Sequence, residues 1–482
     1  MASNSKSLLF FFIILSSSSI SSKSLVNEGD HLALKSLKDQ LIMQNSDSIL
    51  STWNDSINFC SWKGVTCGGG GGNRVRALKL VSQGLSGSLP AAVGNLTFLE
   101  RIDLSLNWFG GTLPPSIGNL QNLNYLNLSF NALAGAIPAN LTSCANLRAL
   151  DLSGNQLSSS IPDGISSLSK LVHLDISNNS LDGSFPASLG NLSSLEHLFV
   201  GRNLFHGRIP VEIGRLAKLR SLNMYSNSLT GIIPASIFNL SSLVRISMTD
   251  NDLSGGFSTN SFESLRNLDY LYLGSNHLNG SIVAALSNAT SLSQIDLGDN
   301  NFTGEIPFFD KFQDLTFLNL ENNQLGNGRD DWRFIDSLAN CTDLQVLSIN
   351  MNMLTGNLPR SIGNLSTQLQ FWSLGSNQIS GTIPSEILNL VGLQLLTMEF
   401  NFLQGFIPRG IGNLALIAGR QEQVLLSSKS VDLRGLIACS SGGSSMHNSP
   451  SVQEKEDEEK TFFELVLSSI LLQGIIPSNI AS

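Results

Sequence analysis

The stretch LDISNNSLDGSFP, residues 174–186, contains no nucleophile beside a base, no cluster of metal-ligand side chains and no glycine-rich phosphate loop. The chain reads LDLSGNQLSSSIP 24 residues earlier and LNLSFNALAGAIP 24 residues before that. A phrase that recurs at a fixed period predicts a stack of similar structural units. The repetition is therefore the feature that decides the fold.

An asparagine marks each copy of the phrase, in the pattern LxLxxNxL. The 24-residue period and the skeleton L-x-x-L-x-L-x-x-N are typical of leucine-rich repeats. Gln83 occupies the asparagine slot of a first copy, so the pattern predicts about fourteen repeats. The later copies carry Asn107, Asn131, Asn155, Asn179, Asn203, Asn227, Asn251, Asn276, Asn300, Asn323, Asn352, Asn377 and Asn401.

The apolar positions of the phrase need a neighbouring repeat to cover them. Leu171, Leu174 and Ile176 point to one side, and stacking buries each at about 1.5–3 kcal/mol. The asparagine amide has donors and an acceptor for backbone groups of its own and adjacent repeats. With strands about 4.8 Å apart, the stack predicts an α/β solenoid whose parallel, concave sheet is roughly 65 Å long.

Composition excludes several classes of protein. The length of 482 residues exceeds that of one ordinary domain, which suits an elongated molecule. The formal net charge of −9 argues against a nucleic-acid partner, which would need a basic patch. The chain has no kinase lysine, His-Arg-Asp or Asp-Phe-Gly set, so we expect it not to be an enzyme and to need no cofactor.

The N-terminus predicts export from the cell. Lys6 precedes the apolar run at residues 8–15 and a serine-rich zone, which is the pattern of a signal peptide over residues 1–24. In a secreted protein, Asn-x-Ser/Thr sites become candidates for N-glycosylation. About a dozen such sites occur, including Asn95, Asn127, Asn140, Asn191, Asn239, Asn288, Asn340 and Asn364.

The phrase LxGxIPxxIGNLxxL, as in LTGIIPASIFNLSSL (229–243), resembles the plant-specific class of leucine-rich repeats. The resemblance implies a right-handed superhelix in which the Gly-x-Ile-Pro segment forms a second sheet. Upstream, the stretch that ends in LSTWNDSINFCSWKGVTC is similar to the helical N-terminal cap of plant receptor kinases. That cap implies a disulfide between Cys60 and Cys67, with Trp53 and Trp62 packed beneath it.

A narrower resemblance rests on the one change of spacing, 29 residues between Asn323 and Asn352. The extra residues in GNGRDDWRFIDSLANCTDLQVL are similar to the receptor-kinase subfamily that includes plant immune receptors for bacterial peptides. This implies an extracellular region that binds a peptide or protein ligand and recruits a co-receptor kinase ectodomain, in defence or signalling at the plasma membrane. The alternative is a secreted plant inhibitor of a microbial cell-wall hydrolase, a class that is typically shorter and lacks this phrase.

The pattern also predicts domain bounds. We expect the cap over residues 25–76, about fourteen repeats over 77–413, an irregular and disordered insert over 414–470, and a partial repeat over 471–482. The apolar run at 462–472 is about half the length that a membrane span needs. The chain therefore corresponds to a truncated receptor, secreted as given, and we interpret the insert as a retained intron or a mis-joined gene model, with a genuine insert as the alternative.

Side chains that alternate with the inward leucines face the concave side. The middle repeats concentrate aromatic and charged groups there, and Tyr and Arg supply much of the energy of protein interfaces. The alternative is that exposed positions simply vary. The predicted ligand-binding residues, which we call the candidate patch, are Phe199, Tyr225, Arg245, Tyr270, Tyr272 and Asp296.

Other constellations are weaker. An apolar column at Phe317, Val346, Phe371 and Leu395 predicts contact with a partner or cover by the tail. His173, Asp175 and His197 lie on adjacent repeats but lack a fourth ligand, so we expect no metal site. Cys144 and Cys341 share a repeat slot that we expect to be buried.

Overall fold

The computed structural model describes residues 28–43, 49–68, 73–287, 289–326 and 331–411. The predicted signal peptide at 1–24, the insert at 414–470 and the partial repeat at 471–482 lie outside the described residues. The bounds proposed for these segments stay predictions.

An N-terminal cap closes the first repeat. Its helix spans residues 28–40, and the strand Leu41–Met43 pairs antiparallel with Leu85–Ser88. Arg74 donates two hydrogen bonds to the buried carboxylate of Asp30, at 2.9 and 2.8 Å. This buried, bidentate ion pair joins the helix to the first strand of the repeats.

The disulfide implied by the family resemblance is present between Cys60 and Cys67. The rings of Trp53 and Trp62 stack with centroids 5.2 Å apart, and both side chains are buried. Each indole N–H reaches a backbone carbonyl, with Trp53 donating to Lys63 at 2.9 Å. The polar ends of the two rings are therefore satisfied inside the cap.

Among the described residues, fifteen strands form one long sheet that runs through the repeats. Val65–Gly68 pairs antiparallel at its start, and all later pairings are parallel. The inward residue of each repeat strand is buried in one continuous hydrophobic core, as the solenoid predicted from the sequence requires. The parallel strands are Arg74–Lys79, Arg101–Asp103, Tyr125–Asn127, Ala149–Asp151, His173–Asp175, His197–Phe199, Ser221–Asn223, Arg245–Ser247, Tyr270–Tyr272, Gln294–Asp296, Phe317–Asn319, Val346–Ser348, Phe371–Ser373 and Leu395–Thr397.

The slot asparagines form a ladder of side-chain to backbone hydrogen bonds. Nδ2 of Asn155 donates to the carbonyls of Leu128, Leu152 and Ser153 at 3.0, 3.0 and 3.1 Å. Its Oδ1 accepts from the N–H of Leu133 in the preceding repeat at 3.0 Å. One amide thus satisfies four backbone groups in two repeats, which apolar side chains could not do.

A second sheet lies after the asparagine slot. The resemblance implied that Gly-x-Ile-Pro forms it, but half of its twelve strands in the described residues end at the glycine, as at Gly183, whose φ is +85°. The following Pro186 caps the 3-10 helix Ala187–Asn191, so the Ile-Pro part is a connection. In the part of the chain that the structure describes, twelve strands form this sheet: Leu41–Met43, Leu85–Ser88, Trp108–Thr112, Ala132–Gly135, Gln156–Ser159, Ser180–Gly183, Leu204–Arg208, Ser228–Gly231, Asp252–Gly255, His277–Gly280, Asn301–Gly304 and Gln324–Leu325. Three more, Thr355–Asn357, Gln378–Gly381 and Phe402–Leu403, form a separate sheet.

Short helices follow the second-sheet strands in most repeats. Every helix among the described residues is too short to cross a lipid bilayer. Two α-helices, Val283–Leu286 and Arg333–Leu338, replace the usual 3-10 turn. The 3-10 helices are Ile49–Thr52, Phe59–Ser61, Ala91–Asn95, Pro115–Asn119, Ala139–Ser143, Asp163–Ser167, Ala187–Asn191, Val211–Arg215, Ile237–Asn239, Arg360–Asn364 and Ser385–Asn389.

The repeat with 29-residue spacing interrupts the second sheet and leaves the ladder intact. Asn352 still donates to the carbonyl of Leu320 at 2.9 Å and accepts from Leu325. The indole of Trp332 donates to the carbonyl of Thr355 at 2.9 Å, and Asp331 accepts from the Thr355 N–H at 2.9 Å. These two side chains form hydrogen bonds with backbone groups of Thr355 that would otherwise pair with a neighbouring strand.

Replacing Asn155 with alanine should lower the free energy of unfolding by roughly 2–4 kcal/mol, because it leaves several backbone groups without partners. Asn122→Ala is the matched control, since that exposed amide makes one hydrogen bond, to the carbonyl of Thr97 at 3.0 Å. Urea unfolding followed by circular dichroism measures both. Equal losses in the two variants would mean that the ladder contributes no special stability.

Candidate ligand-binding face

Parallel pairing places residues about 24 positions apart side by side on the outward face of the long sheet, the strand face. The six residues of the candidate patch therefore lie on five consecutive repeats. One row across the strands contains His197, Ser221, Arg245, Tyr270 and Gln294. The next row contains Phe199, Asn223, Ser247, Tyr272 and Asp296.

Arg245, Tyr270 and Tyr272 form one contiguous group. The guanidinium of Arg245 lies over the Tyr270 ring, 4.4 Å from its centroid, and the two tyrosine rings are 6.0 Å apart. The Tyr272 hydroxyl donates to Oε1 of Gln294. Burial raises the pKa of Tyr272, so its hydroxyl stays neutral. The group offers a cation and two ring faces held by stacking and a hydrogen bond.

Asp296 lies at the edge of this group in a half-buried position. Its Oδ1 accepts from Nδ2 of Asn319 at 3.0 Å and from the Gly298 N–H at 3.2 Å. Burial, with the charges of Glu321 and Asp299 adding to it, raises the pKa of Asp296 to about 7. Near neutral pH this carboxyl is therefore both a hydrogen-bond donor and an acceptor.

Phe199 and Tyr225 form the other end of the candidate patch. The Phe199 ring packs against both His173 and His197, with centroids 5.5 and 6.0 Å away. Tyr225 lies flat over Gly201, where a Cβ would come within 2.4 Å of the Tyr225 ring. Only glycine at position 201 leaves room for this ring.

Several contributors to the candidate patch were not predicted from the sequence. Arg202 stands 5.6 Å from the Tyr225 ring, and Gln294 and Asn319 hold Tyr272 and Asp296. Arg202 occupies the position just before the slot asparagine and has a φ of +51°. The residue at this position has a positive φ in every repeat from residue 82 to residue 400. This position is the sequence signal that could have identified Arg202, because its side chain lies at the rim of the strand face.

The predicted apolar column is aligned by the strand register. Phe317, Val346, Phe371 and Leu395 follow one another across four strands, and each is half-buried. Met351 and Phe400, in the slot before the asparagine, are exposed beside this column. The column continues the strand face beyond Asp296 with a less polar surface.

Histidine and aspartate also meet on the strand face without forming a metal centre. The rings of His173 and His197 are 5.8 Å apart, and burial lowers the pKa of both. Burial raises the pKa of Asp175 to about 6, with the charge of Asp151 acting in the same direction. No group of three or more His, Cys, Asp or Glu side chains in the described part of the chain is arranged to hold a metal ion.

The thiols of Cys144 and Cys341 are free and buried, and burial raises the pKa of each to about 11. Each thiol donates to a backbone carbonyl, that of Ile117 at 3.3 Å and that of Phe312 at 3.1 Å. They occupy the interior as small apolar groups with a weak hydrogen bond.

The predicted glycosylation sites differ in where they lie. Asn127 is half-buried on the strand face, where its Oδ1 accepts from the Ser129 hydroxyl at 2.7 Å. Asn288 lies outside the described residues. The exposed sites, in or beside the short helices, are Asn95, Asn140, Asn191, Asn239, Asn340 and Asn364. Glycans at this last set would leave the candidate patch uncovered, and their presence stays a prediction.

Comparison with known families matches two parts of this architecture. The cap matches the model described as "Leucine rich repeat N-terminal domain" over residues 27–68. The repeats match models described as "Leucine rich repeat" over 145–205 and over 98–120, 122–144, 218–240 and 343–365. The LRR receptor-like serine/threonine-protein kinase EFR of Arabidopsis thaliana is 50% identical over 82 residues, 17% of this chain and 8% of that relative.

Solved structures share the fold. The PEPR1-AtPEP1 structure superposes with a TM-score of 0.72 at 33% identity over 80% of this chain and 53% of that one. The plant peptide hormone receptor RGFR1 in complex with RGF2 gives 0.57 at 28% identity over 72% and 60% of the two chains. The Leptospira interrogans LRR protein LIC12759 gives 0.53 at 30% identity over 68% and 91%. The chain thus spans a little over half the length of the two plant receptor chains.

The raised pKa of Asp296 predicts how stability depends on pH. Its unfolded pKa is near 3.8 and its folded pKa about 7, so the folded state holds a proton that the unfolded state has released. Stability should fall as pH rises from about 4 through 7, and Asp296→Asn should reduce that fall by roughly 1–3 kcal/mol. The exposed Asp163→Asn is the control, and urea unfolding at pH 5 and pH 8 measures the effect. A D296N protein with unchanged pH dependence would show that Asp296 ionises freely.

Proposed function

Because the chain belongs to the leucine-rich-repeat family, we propose that it recognises an extended peptide on the strand face, as the extracellular ligand-binding part of a plant receptor kinase. The candidate patch is the binding surface. In this proposal the protein is exported, carries N-glycans and presents the bound peptide to a co-receptor ectodomain. Kinase activity belongs to the longer receptors that it resembles.

The observation that carries the proposal is the continuous group of aromatic and charged side chains between Phe199 and Asp296. Four strand spacings of about 4.8 Å span roughly 19 Å, which fits about six residues of extended peptide. Tyrosine and arginine contribute most of the energy at many interfaces, because they bury a large area and keep a hydrogen bond. Asn223 and Ser247 lie between Phe199 and Tyr272 in the same row, and their shorter side chains leave room for the backbone of a bound peptide.

Two relatives support this assignment. RGFR1 is described as a peptide hormone receptor, and EFR is described as a receptor-like kinase. Both share the repeat architecture with this chain. The resemblance in the GNGRDDWRFIDSLANCT phrase points in the same direction, toward receptors and away from the shorter secreted inhibitors.

A double substitution of the stacked pair tests the patch. Phage-displayed random dodecapeptides are selected on the secreted chain, and the affinity of the best peptide is measured by calorimetry. Arg245→Ala with Tyr270→Ala should weaken binding roughly 30-fold or more, because the pair lies at the centre of the patch. The matched control is Arg101→Ala with Tyr125→Ala, which removes the same stacked arrangement, 3.5 Å between guanidinium and ring centroid, from an N-terminal repeat.

The control pair should change the affinity less than threefold. Equal losses in both double variants would place binding elsewhere on the strand face. Failure to select any peptide, together with inhibition of a microbial polygalacturonase by the same preparation, would replace the receptor proposal with the inhibitor alternative.

A further inference from the structure

A cleft opens where the chain enters four neighbouring strands of the long sheet. Its volume is about 630 Å³. It is bounded by segments that lead into His197–Phe199, Ser221–Asn223, Arg245–Ser247 and Tyr270–Tyr272. The lining residues, which define the flank cleft, are Glu196, Ala217, Lys218, Arg220, Ser242, Val244 and Asn267.

Two cations of the flank cleft make no ion pair with a described residue, and the half-buried Glu196 is the one acidic side chain that lines the cleft beside them. Lys218 and Arg220 are exposed, and neither belongs to any ion pair between described residues. The uncharged polar groups are committed elsewhere. Ser242 donates to the carbonyl of Leu219 at 2.7 Å, and Asn267 donates to that of Ser241 at 2.9 Å. The charged donors are therefore the groups available to a ligand.

The flank cleft and the candidate patch are linked by two residues that are neighbours in the chain. Val244 lines the cleft, and the next residue, Arg245, stacks on Tyr270 within the patch. Burial lowers the pKa of His197, and the charges of Arg220 and Arg245 lower it further while Glu196 opposes them. The two guanidinium groups therefore act on the same corner of the strand face.

The charge of the chain changes sign at this point along the repeats. Residues 202–245 contain six arginines or lysines and one acidic residue, Glu212. Residues 246–343 contain fourteen acidic residues and four arginines or lysines. An anionic group of a ligand is thus attracted to the repeats at 202–245 and repelled by the repeats that follow.

We propose that the flank cleft binds a carboxylate of an acidic peptide, at Lys218 and Arg220, while the remainder of that peptide lies on the candidate patch. This inference rests on the proposed function, and it adds the class of ligand and the direction in which it lies. The acidic residue of the peptide occupies the basic end, and the rest extends over Tyr270 and Tyr272 toward Asp296.

The test uses peptides selected from the same dodecapeptide library on the full secreted chain. The selected set should be enriched in Asp and Glu relative to the unselected library. Lys218→Gln with Arg220→Gln should weaken the best acidic peptide about tenfold in 0.1 M salt, and the amide analogue of that peptide should bind both proteins equally. Arg220→Lys, which keeps the charge, should retain most of the affinity.

The matched control is Arg148→Gln with Lys170→Gln. These two cations occupy the same repeat slots, 72 and 48 residues earlier, and do not line the cleft. They should change the affinity less than twofold, because they stand a Debye length or more away. If both double variants lost the same affinity, the effect would come from general electrostatic attraction by the basic repeats, and the proposal would be overturned.

The outcomes separate the two proposals. One outcome would overturn carboxylate binding in the flank cleft and leave the peptide-binding function standing. In that outcome the selected peptides lack acidic residues, and their affinity depends on Arg245 and Tyr270 but does not change with Lys218→Gln and Arg220→Gln. Failure to select any peptide would overturn both.

Discussion

The ladder of slot asparagines is the constraint on which the rest of the structure depends. Each slot amide uses both donors and its acceptor on backbone groups, as Asn155 does, and so fixes where every repeat turns away from its strand. The leucine positions around it are buried in one continuous core. Because the interior and the turn of each repeat are constrained in this way, the outward positions of the strands can vary in sequence and are available for ligand binding.

This constraint converts sequence spacing into spatial neighbourhood. Side chains about 24 residues apart in the chain, such as Arg245 and Tyr270, become partners one strand apart. The strands are rigid because their backbone groups are satisfied on both sides, so the aromatic rings are held before any ligand arrives. A glycine two residues after the end of a repeat strand can then decide where a ring lies, as Gly201 does for Tyr225.

The sequence was sufficient for the architecture because that architecture repeats. The asparagine slots, the buried leucine positions and the outward rows all follow from one period, and the cap disulfide follows from the resemblance of the CSWKGVTC stretch. Conformations inside one repeat could not be predicted in this way. The flat position of Tyr225, the backbone partners of Asp331 and Trp332, and the end of the second-sheet strands at the glycine depend on local geometry that the period does not encode.

The central claim is that one stretch of the strand face, from Phe199 to Asp296, is where a ligand lies. Photocrosslinking of a selected peptide that carries a benzophenone at successive positions tests it most directly, with the attachment sites identified by mass spectrometry. The account predicts attachment to residues of the strands between His197–Phe199 and Gln294–Asp296, advancing along the repeats as the benzophenone moves along the peptide. Attachment to the second sheet, to the short helices or to the cap would contradict it.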